Sequence, residues 1–93
     1  MGTNLQEVAQ RLRRLAVISP TSTGGLTTWY AAAKEFRDWL SAKPVQLIDQ
    51  VPHFVWHYLD DADIRSKDEV YRRDQERELA AVLARLERGG DAA

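Results

Sequence analysis

The side chains best suited to chemistry lie in one stretch, residues 49–63, which holds both histidines, one of the three tryptophans and four aspartates. The apolar positions of this stretch share one side of a helix that begins near Pro52, namely 51, 55, 58, 59 and 62. The other side then carries His53, Trp56, His57 and Asp60. Histidine titrates near neutral pH, and an aromatic ring among charged groups is typical of protein interfaces. We therefore expect these four residues to form one solvent-reachable recognition patch.

A metal site is the alternative for the same stretch. His53 and His57 stand four residues apart and can present two imidazoles on one helix face, with Asp61 one turn further on. If Asp49 is added, the four ligands spread by about 120° around the helix, so at most three of them could share one ion. Such a site would suit a metal-dependent hydrolase. However, positions 54–56 read Phe-Val-Trp and lack the glutamate of the HExxH metalloprotease helix.

Other catalytic and ligand-binding motifs each lack a member. No serine or cysteine nucleophile is placed to use either histidine, and the chain contains no cysteine. Leucine follows the glycine pair at 24–25, where a phosphate-binding loop needs lysine. The acidic turn at 60–63 lacks the glycine of a calcium loop, so we interpret its aspartates as helix caps and as partners of Arg65. We favour a function that is not enzymatic, with no cofactor and no small-molecule substrate.

The composition indicates one globular domain. The 93 residues are 44% apolar and 29% charged, which is enough for a single modest core. Without cysteine there is no disulfide framework and no zinc–thiolate site. No apolar stretch approaches the roughly 20 residues that span a bilayer, and the start of the sequence is not that of a signal peptide. We expect a cytoplasmic protein that does not associate with membranes.

The net charge of −1 conceals an asymmetry between the two halves. Residues 1–43 contain six Lys and Arg against three Asp and Glu, whereas residues 44–93 contain seven against eleven, which gives +3 and −4. This imbalance suits head-to-tail self-association or a charged protein partner. A DNA-binding helical domain is a second alternative, based on Arg11, Arg13, Arg14, Lys34 and Arg37. We do not expect nucleic-acid binding, because no short glycine turn precedes a basic recognition helix.

Four helical segments are predicted to position these residues. The first starts near Asn4 and ends by Ser19, and the breaker-rich segment 19–25 is expected to be a flexible loop. The second runs from about Thr27 to Ala42 and is closed by Lys43-Pro44. The third begins at Pro44 and breaks near residues 50–52, because Pro52 removes a backbone donor. Its first turns are expected to bury Val45, Ile48 and Val51.

The fourth segment is predicted to begin at a capping box made by Ser66 and Glu69. It runs for about 22 residues to Gly89-Gly90, after which residues 89–93 should fray. Seven polar residues interrupt its apolar stripe at 72–78, and Gln75 is the one residue among them that we expect to face a core. The arginines of this stretch form a second predicted docking surface: Arg72, Arg73 and Arg77.

The sequence therefore predicts an all-α single domain over residues 1–93. We expect a small irregular bundle of four helical segments with a long C-terminal helix. Its core is predicted around Leu12, Phe36, Ile48, Val55 and Leu59. The predicted function is a small non-enzymatic protein–protein interaction module, such as a regulator, an inhibitor or an immunity-type partner. It would bind another protein or a second copy of itself through the two predicted surfaces.

Overall fold

A computed structural model describes residues 4–20 and 22–89, and every regular element in these two ranges is helical. The predicted all-α class is therefore confirmed. The radius of gyration is 13.1 Å, close to the value of about 13 Å for a compact domain of this length. No helix in the described ranges is long and apolar enough to cross a membrane. The elements are α1 (Leu5–Val17), a 3₁₀ turn (Thr23–Gly25), α2 (Leu26–Ser41), α3 (Val45–Ile48), α4 (Phe54–Asp60), α5 (Ala62–Lys67) and α6 (Glu69–Glu87).

Helix α1 begins where the sequence predicts and packs against both α2 and α6. Asn4 is its N-cap, and its side-chain oxygen accepts a hydrogen bond of 3.0 Å from the backbone N–H of Glu7. The apolar residues that recur at steps of three and four are buried and give the helix one face in the core: Leu5, Val8, Leu12 and Leu15. Two polar side chains of α1 reach the end of α6, since Gln6 and Arg13 both bond to Glu87.

The connection between α1 and α2 ends in a 3₁₀ turn, and a buried tryptophan bonds the two helices to each other. Its last residues form the 3₁₀ turn, and α2 follows directly. The buried ring of Trp29, one turn into α2, donates through Nε1 to the carbonyl oxygen of Leu15 at 3.1 Å. This bond joins the start of α2 to the last turns of α1. Position 21 of the predicted loop lies outside the described residues, and the flexibility of the loop stays a prediction.

The third predicted segment is divided into three short helices, so the four predicted segments correspond to six α-helices in the described ranges. The chain breaks before Pro52, as predicted, and again at Asp61, where α5 begins a new direction. The expected apolar face of the first turns is only partly correct, because Val45 is 61% exposed and Ile48 is half-buried. Leu47 faces the core in their place. A helix of one turn has no full face to bury, so its orientation follows the helices around it.

The predicted capping box at the start of α6 was also wrong. Asp68 is the N-cap, and its Oδ1 accepts a hydrogen bond of 3.0 Å from the backbone N–H of Tyr71. Ser66 lies inside α5, where its hydroxyl donates to the carbonyl oxygen of Asp63 at 2.8 Å. The helix consequently has 19 residues. Gly89 closes it with a φ of +86°, as the sequence predicts, while residues 90–93 lie outside the described part of the chain.

The core confirms four of the five residues on which it was predicted to centre, with Ile48 as the exception. Leu12, Phe36, Val55 and Leu59 are all at most 5% exposed. The predicted apolar side of the 49–63 stretch is confirmed in full, because each of its members is buried: Val51, Val55, Tyr58, Leu59 and Ala62.

Candidate functional site

An open groove of about 360 Å³ runs between α4 and the first half of α6. Its lining combines three carboxylates, an imidazole, an amide and two aromatic rings: Phe54, His57, Asp61, Tyr71, Asp74, Gln75 and Glu78. We call this set the acidic groove. It joins the predicted histidine stretch to the polar part of the last helix, which sequence analysis had treated as two separate surfaces.

Helical periodicity aligns one wall of the acidic groove. The four residues that α6 contributes are spaced i, i+3, i+4 and i+7, so they share one helix face. On the other wall, His57 lies in the last turn of α4 and Asp61 at the break between α4 and α5. The packing of α4 on α6 brings the two walls together.

A chain of hydrogen bonds connects the wall of the groove to the interior. Asp61 accepts two of them on one carboxylate oxygen, from the hydroxyl of Tyr71 at 2.6 Å and from Nε2 of Gln75 at 3.0 Å. The other amide atom of Gln75, Oε1, accepts a bond of 2.7 Å from Arg65. The hydrogen bond to Asp61 raises the pKa of the Tyr71 hydroxyl, because the neutral form is the donor. The two groove side chains are thereby held in one orientation.

The interior end of this network is a buried arginine. Arg65 is 1% exposed, and its guanidinium carbon lies 3.8 Å from the ring centre of Tyr58 and 5.0 Å from that of Trp29. Besides Gln75, it donates from the same nitrogen to the carbonyl oxygen of Tyr58 at 2.6 Å. Its Nε and its other terminal nitrogen have no hydrogen-bond partner. Burial lowers the pKa of Arg65 from its ordinary value, and the nearby Tyr58 and Asp61 act in the opposite direction.

The exposed edge of the groove carries negative charge that the fold does not use. Glu78 makes no ion pair within the described ranges of the chain. Asp74 faces Arg77 at 3.9 Å, but both side chains are largely exposed, and such pairs contribute little. Phe54 and Tyr71 add half-buried rings beside these carboxylates. The arrangement can accept hydrogen bonds from a cationic side chain and pack against an apolar one next to it.

The four residues predicted as one patch point in different directions. His53 and His57 are exposed and stand together, with ring centres 5.4 Å apart. Trp56 is half-buried and packs against the core. Asp60 accepts a hydrogen bond of 2.6 Å from Arg37 of α2, which turns it away from the groove. Of the four, only His57 lines the acidic groove.

The three arginines predicted to form a docking surface on α6 all have intramolecular partners. Arg72 donates to the carbonyl oxygen of Arg65 at 3.1 Å, and Arg73 pairs with Glu69 at the same distance. Arg77 faces a carboxylate one turn before it. These contacts restrict the arginines, although Arg73 and Arg77 stay largely exposed.

The metal alternative requires His53, His57 and Asp61 to converge on one ion. Within residues 4–20 and 22–89, no three His, Cys, Asp or Glu side chains are grouped so that they could hold a metal. Asp61 is instead bonded to Tyr71 and Gln75. The two imidazoles are therefore the only part of this alternative that the fold brings together.

The basic residues of the DNA-binding alternative mostly stand beside acids. Four of the five make ion pairs: Arg11 with Glu7, Arg13 with Glu87, Lys34 with Asp38 and Arg37 with Asp60. A neighbouring carboxylate opposes phosphate binding, which depends on uncompensated positive charge. Arg14 is the fifth, and nothing in the described part of the chain pairs with it.

Sequence analysis missed Tyr71, Asp74 and Glu78 as site residues, although their spacing on α6 was a signal for a shared face. It predicted that Gln75 faces the core, which is confirmed, since Gln75 is 7% exposed.

Comparisons of the chain with protein families, with curated proteins and with solved structures give no match.

Proposed function

We propose that this protein is a non-enzymatic protein–protein interaction module that binds a basic segment of its partner in the acidic groove. The observation that carries the proposal is the groove itself: exposed carboxylates beside aromatic rings, on a floor fixed by hydrogen bonds to the interior. Fixed side chains lose little freedom on binding, so a groove of this kind suits recognition. A regulator, an inhibitor or an immunity-type partner would use such a surface.

The chemistry of the groove specifies the segment that fits. Asp74 and Glu78 stand four residues apart on one helix face and can accept hydrogen bonds from arginine or lysine. Phe54 and Tyr71 offer apolar surface to an aliphatic side chain next to that cation. The segment should therefore pair a basic residue with an apolar one. The cysteine-free composition is compatible with the cytoplasmic setting that we propose for this interaction.

A titration monitored by NMR tests the proposal. The ¹⁵N-labelled full chain is titrated with a synthetic helical peptide that carries arginine and valine on one face, and with a matched peptide in which glutamate replaces arginine. We expect the basic peptide alone to shift the amide signals of the groove residues, above all those of Tyr71, Asp74 and Glu78. The Asp74→Asn/Glu78→Gln variant should weaken this binding about three- to tenfold, because each exposed ion pair contributes at most about 1 kcal/mol. Equal shifts from both peptides, or shifts confined to another face, would contradict the proposal.

A metal-binding role is the second candidate, and the 5.4 Å separation of the His53 and His57 rings favours it. With two protein ligands, a site should hold zinc far more weakly than the three or four ligands of zinc enzymes and structural zinc sites. We therefore expect the ring signals of both histidines to stay unshifted at equimolar zinc. Selective shifts of both rings that saturate at one equivalent would support the metal site against the interaction module.

A further inference from the structure

A second surface, opposite in character to the acidic groove, lies at the C-terminal end of α1. Val17 is 81% exposed and Ile18 is 52% exposed, so two consecutive β-branched apolar residues are partly in water. Arg13 and Arg14 precede them in the same turn, and Arg14 has no ion pair or hydrogen bond within the described ranges. We call Arg13, Arg14, Val17 and Ile18 the α1 patch.

Within one chain Arg13 pairs with Glu87, whereas the exposed parts of Val17 and Ile18 do nothing for the fold. Val17 and Ile18 bury little surface, and a β-branched residue lowers helix propensity slightly. Shallow clefts flank the pair, one of about 300 Å³ beside Val17 and one of about 200 Å³ beside Ile18, and Arg14 lines both. Apolar side chains next to arginine are the combination enriched at protein interfaces.

The α1 patch has the composition that the acidic groove requires of its ligand. The groove needs a cation for Asp74 and Glu78 and an aliphatic side chain for its rings, and the patch offers Arg14 and Val17 one turn apart. The two surfaces have no residue in common. They also lie in the sequence halves that carry net charges of +3 and −4.

We propose, resting on the proposed function, that the acidic groove binds the α1 patch of a second copy of this chain. Copies then associate head to tail. In a pair, the copy that supplies the groove keeps its patch free, and the copy that supplies the patch keeps its groove free. The interface is therefore heterologous, and the assembly extends with concentration. The net charge of −1 allows this, because copies repel one another only weakly.

Both surfaces are small, so the association of copies should be weak. One helix end in one groove buries much less than the roughly 800 Å² per partner of a stable complex, on a chain whose total accessible surface is 5835 Å². Interfaces of this size are typical of weak, transient complexes, and we expect a dissociation constant on the order of 100 µM. Because the attraction is between exposed charges, high salt should weaken it.

Sedimentation velocity with two complementary variants tests the proposal. Arg14→Glu/Val17→Asp removes the patch and leaves the groove, whereas Asp74→Lys/Glu78→Lys removes the groove and leaves the patch. All four positions are exposed and outside the core, so both variants should keep the wild-type far-UV circular dichroism spectrum. The control Asp49→Lys/Glu76→Lys makes the same change in net charge as the groove variant, at exposed positions that do not line the groove.

We expect the average mass of the wild type and of the control to rise with concentration, reaching at least about 1.5 times the monomer near 1 mM in low salt. Each variant alone should stay monomeric. An equimolar mixture of the two variants should form dimers and stop there, because one intact groove and one intact patch remain to pair. Three outcomes would each overturn the proposal: a wild type that is monomeric near 1 mM, a variant that associates alone, or a mixture that does not pair.

The peptide titration of the acidic groove distinguishes this failure from a failure of the proposed function. If the chain stays monomeric while the basic peptide still binds the groove, the second copy is not the occupant and the interaction module stands. If the basic peptide does not bind either, both proposals fall.

Discussion

Removal of the buried Arg65 should test whether the acidic groove depends on the interior network. Arg65→Met keeps most of the side-chain volume but deletes the bonds of 2.6 and 2.7 Å to Tyr58 and Gln75. Two buried acceptors then lose a partner, at about 1–3 kcal/mol each, while removal of a buried cation with two unpaired nitrogens recovers part of this cost. We expect the free energy of unfolding to fall by about 2–3 kcal/mol, out of a total of about 5–15 kcal/mol for a domain.

A double-mutant cycle separates the network from simple loss of packing. Gln75→Leu should cost about 2 kcal/mol, because it leaves the Arg65 nitrogen with one acceptor and Asp61 with one donor fewer. In Arg65→Met/Gln75→Leu the mutual bond is already absent, so the combined loss should be smaller than the sum by about 1–3 kcal/mol. Urea unfolding followed by circular dichroism and by tryptophan fluorescence measures all four corners of the cycle.

The matched control is Arg73→Met, since that side chain is exposed and pairs only with Glu69. We expect its stability to lie within about 0.5 kcal/mol of the wild type. The reasoning would be refuted if Arg65→Met were as stable as this control, or if the losses at Arg65 and Gln75 were fully additive. Either result would mean that Arg65 does not stabilise the fold and that the side chains of the acidic groove do not depend on it for their orientation.

Three further perturbations follow from the structure. Trp56→Ala should lower the free energy of unfolding by about 1–3 kcal/mol, measured in a thermal melt. This is less than the roughly 3–5 kcal/mol for truncation of a core aromatic residue, because the Trp56 ring is half-buried. An unchanged melting temperature would show that the ring does not pack against the core. Asp68→Ala should cost about 1 kcal/mol in urea unfolding and Ser66→Ala less than half of that, and the reverse order would restore the predicted capping box. At high pH, stability should decline. Burial raises the pKa of Tyr58 and the bond to Asp61 raises that of Tyr71, so the folded chain keeps protons that the unfolded chain releases near the ordinary pKa of 10.0. This stabilisation is complete below pH 10 and is lost as the pH rises through the raised values. Urea unfolding at a series of pH values from 8 to 11 measures the decline, which should be shallower in Tyr71→Phe; a flat profile would contradict the assignment.

Helix ends and breaks could be predicted from the sequence where a single residue determines them. Asn4 caps α1, Pro52 breaks the third segment, and Gly89 takes the left-handed conformation, because each depends on the chemistry of a few neighbouring residues. Where two neighbouring residues could both cap the same helix, the sequence prediction chose the wrong one. Ser66 and Asp68 can both cap a helix, but α5 extends to Lys67 and Ser66 donates within it to Asp63, which leaves Asp68 as the cap.

The candidate site depended on the tertiary structure. Helical periodicity by itself determined that the chain is all-α, which residues along each long helix are buried, and that Gln75 turns inward. It did not determine that α4 packs against α6, that Asp60 turns to Arg37, or that Arg65 lies between two aromatic rings. The physical reason is the range of the interactions. A helix repeats every 3.6 residues and can be recognised within a window of the sequence. The acceptors of the buried Arg65 lie 7 and 10 positions away, and they meet it only when α4, α5 and α6 have packed.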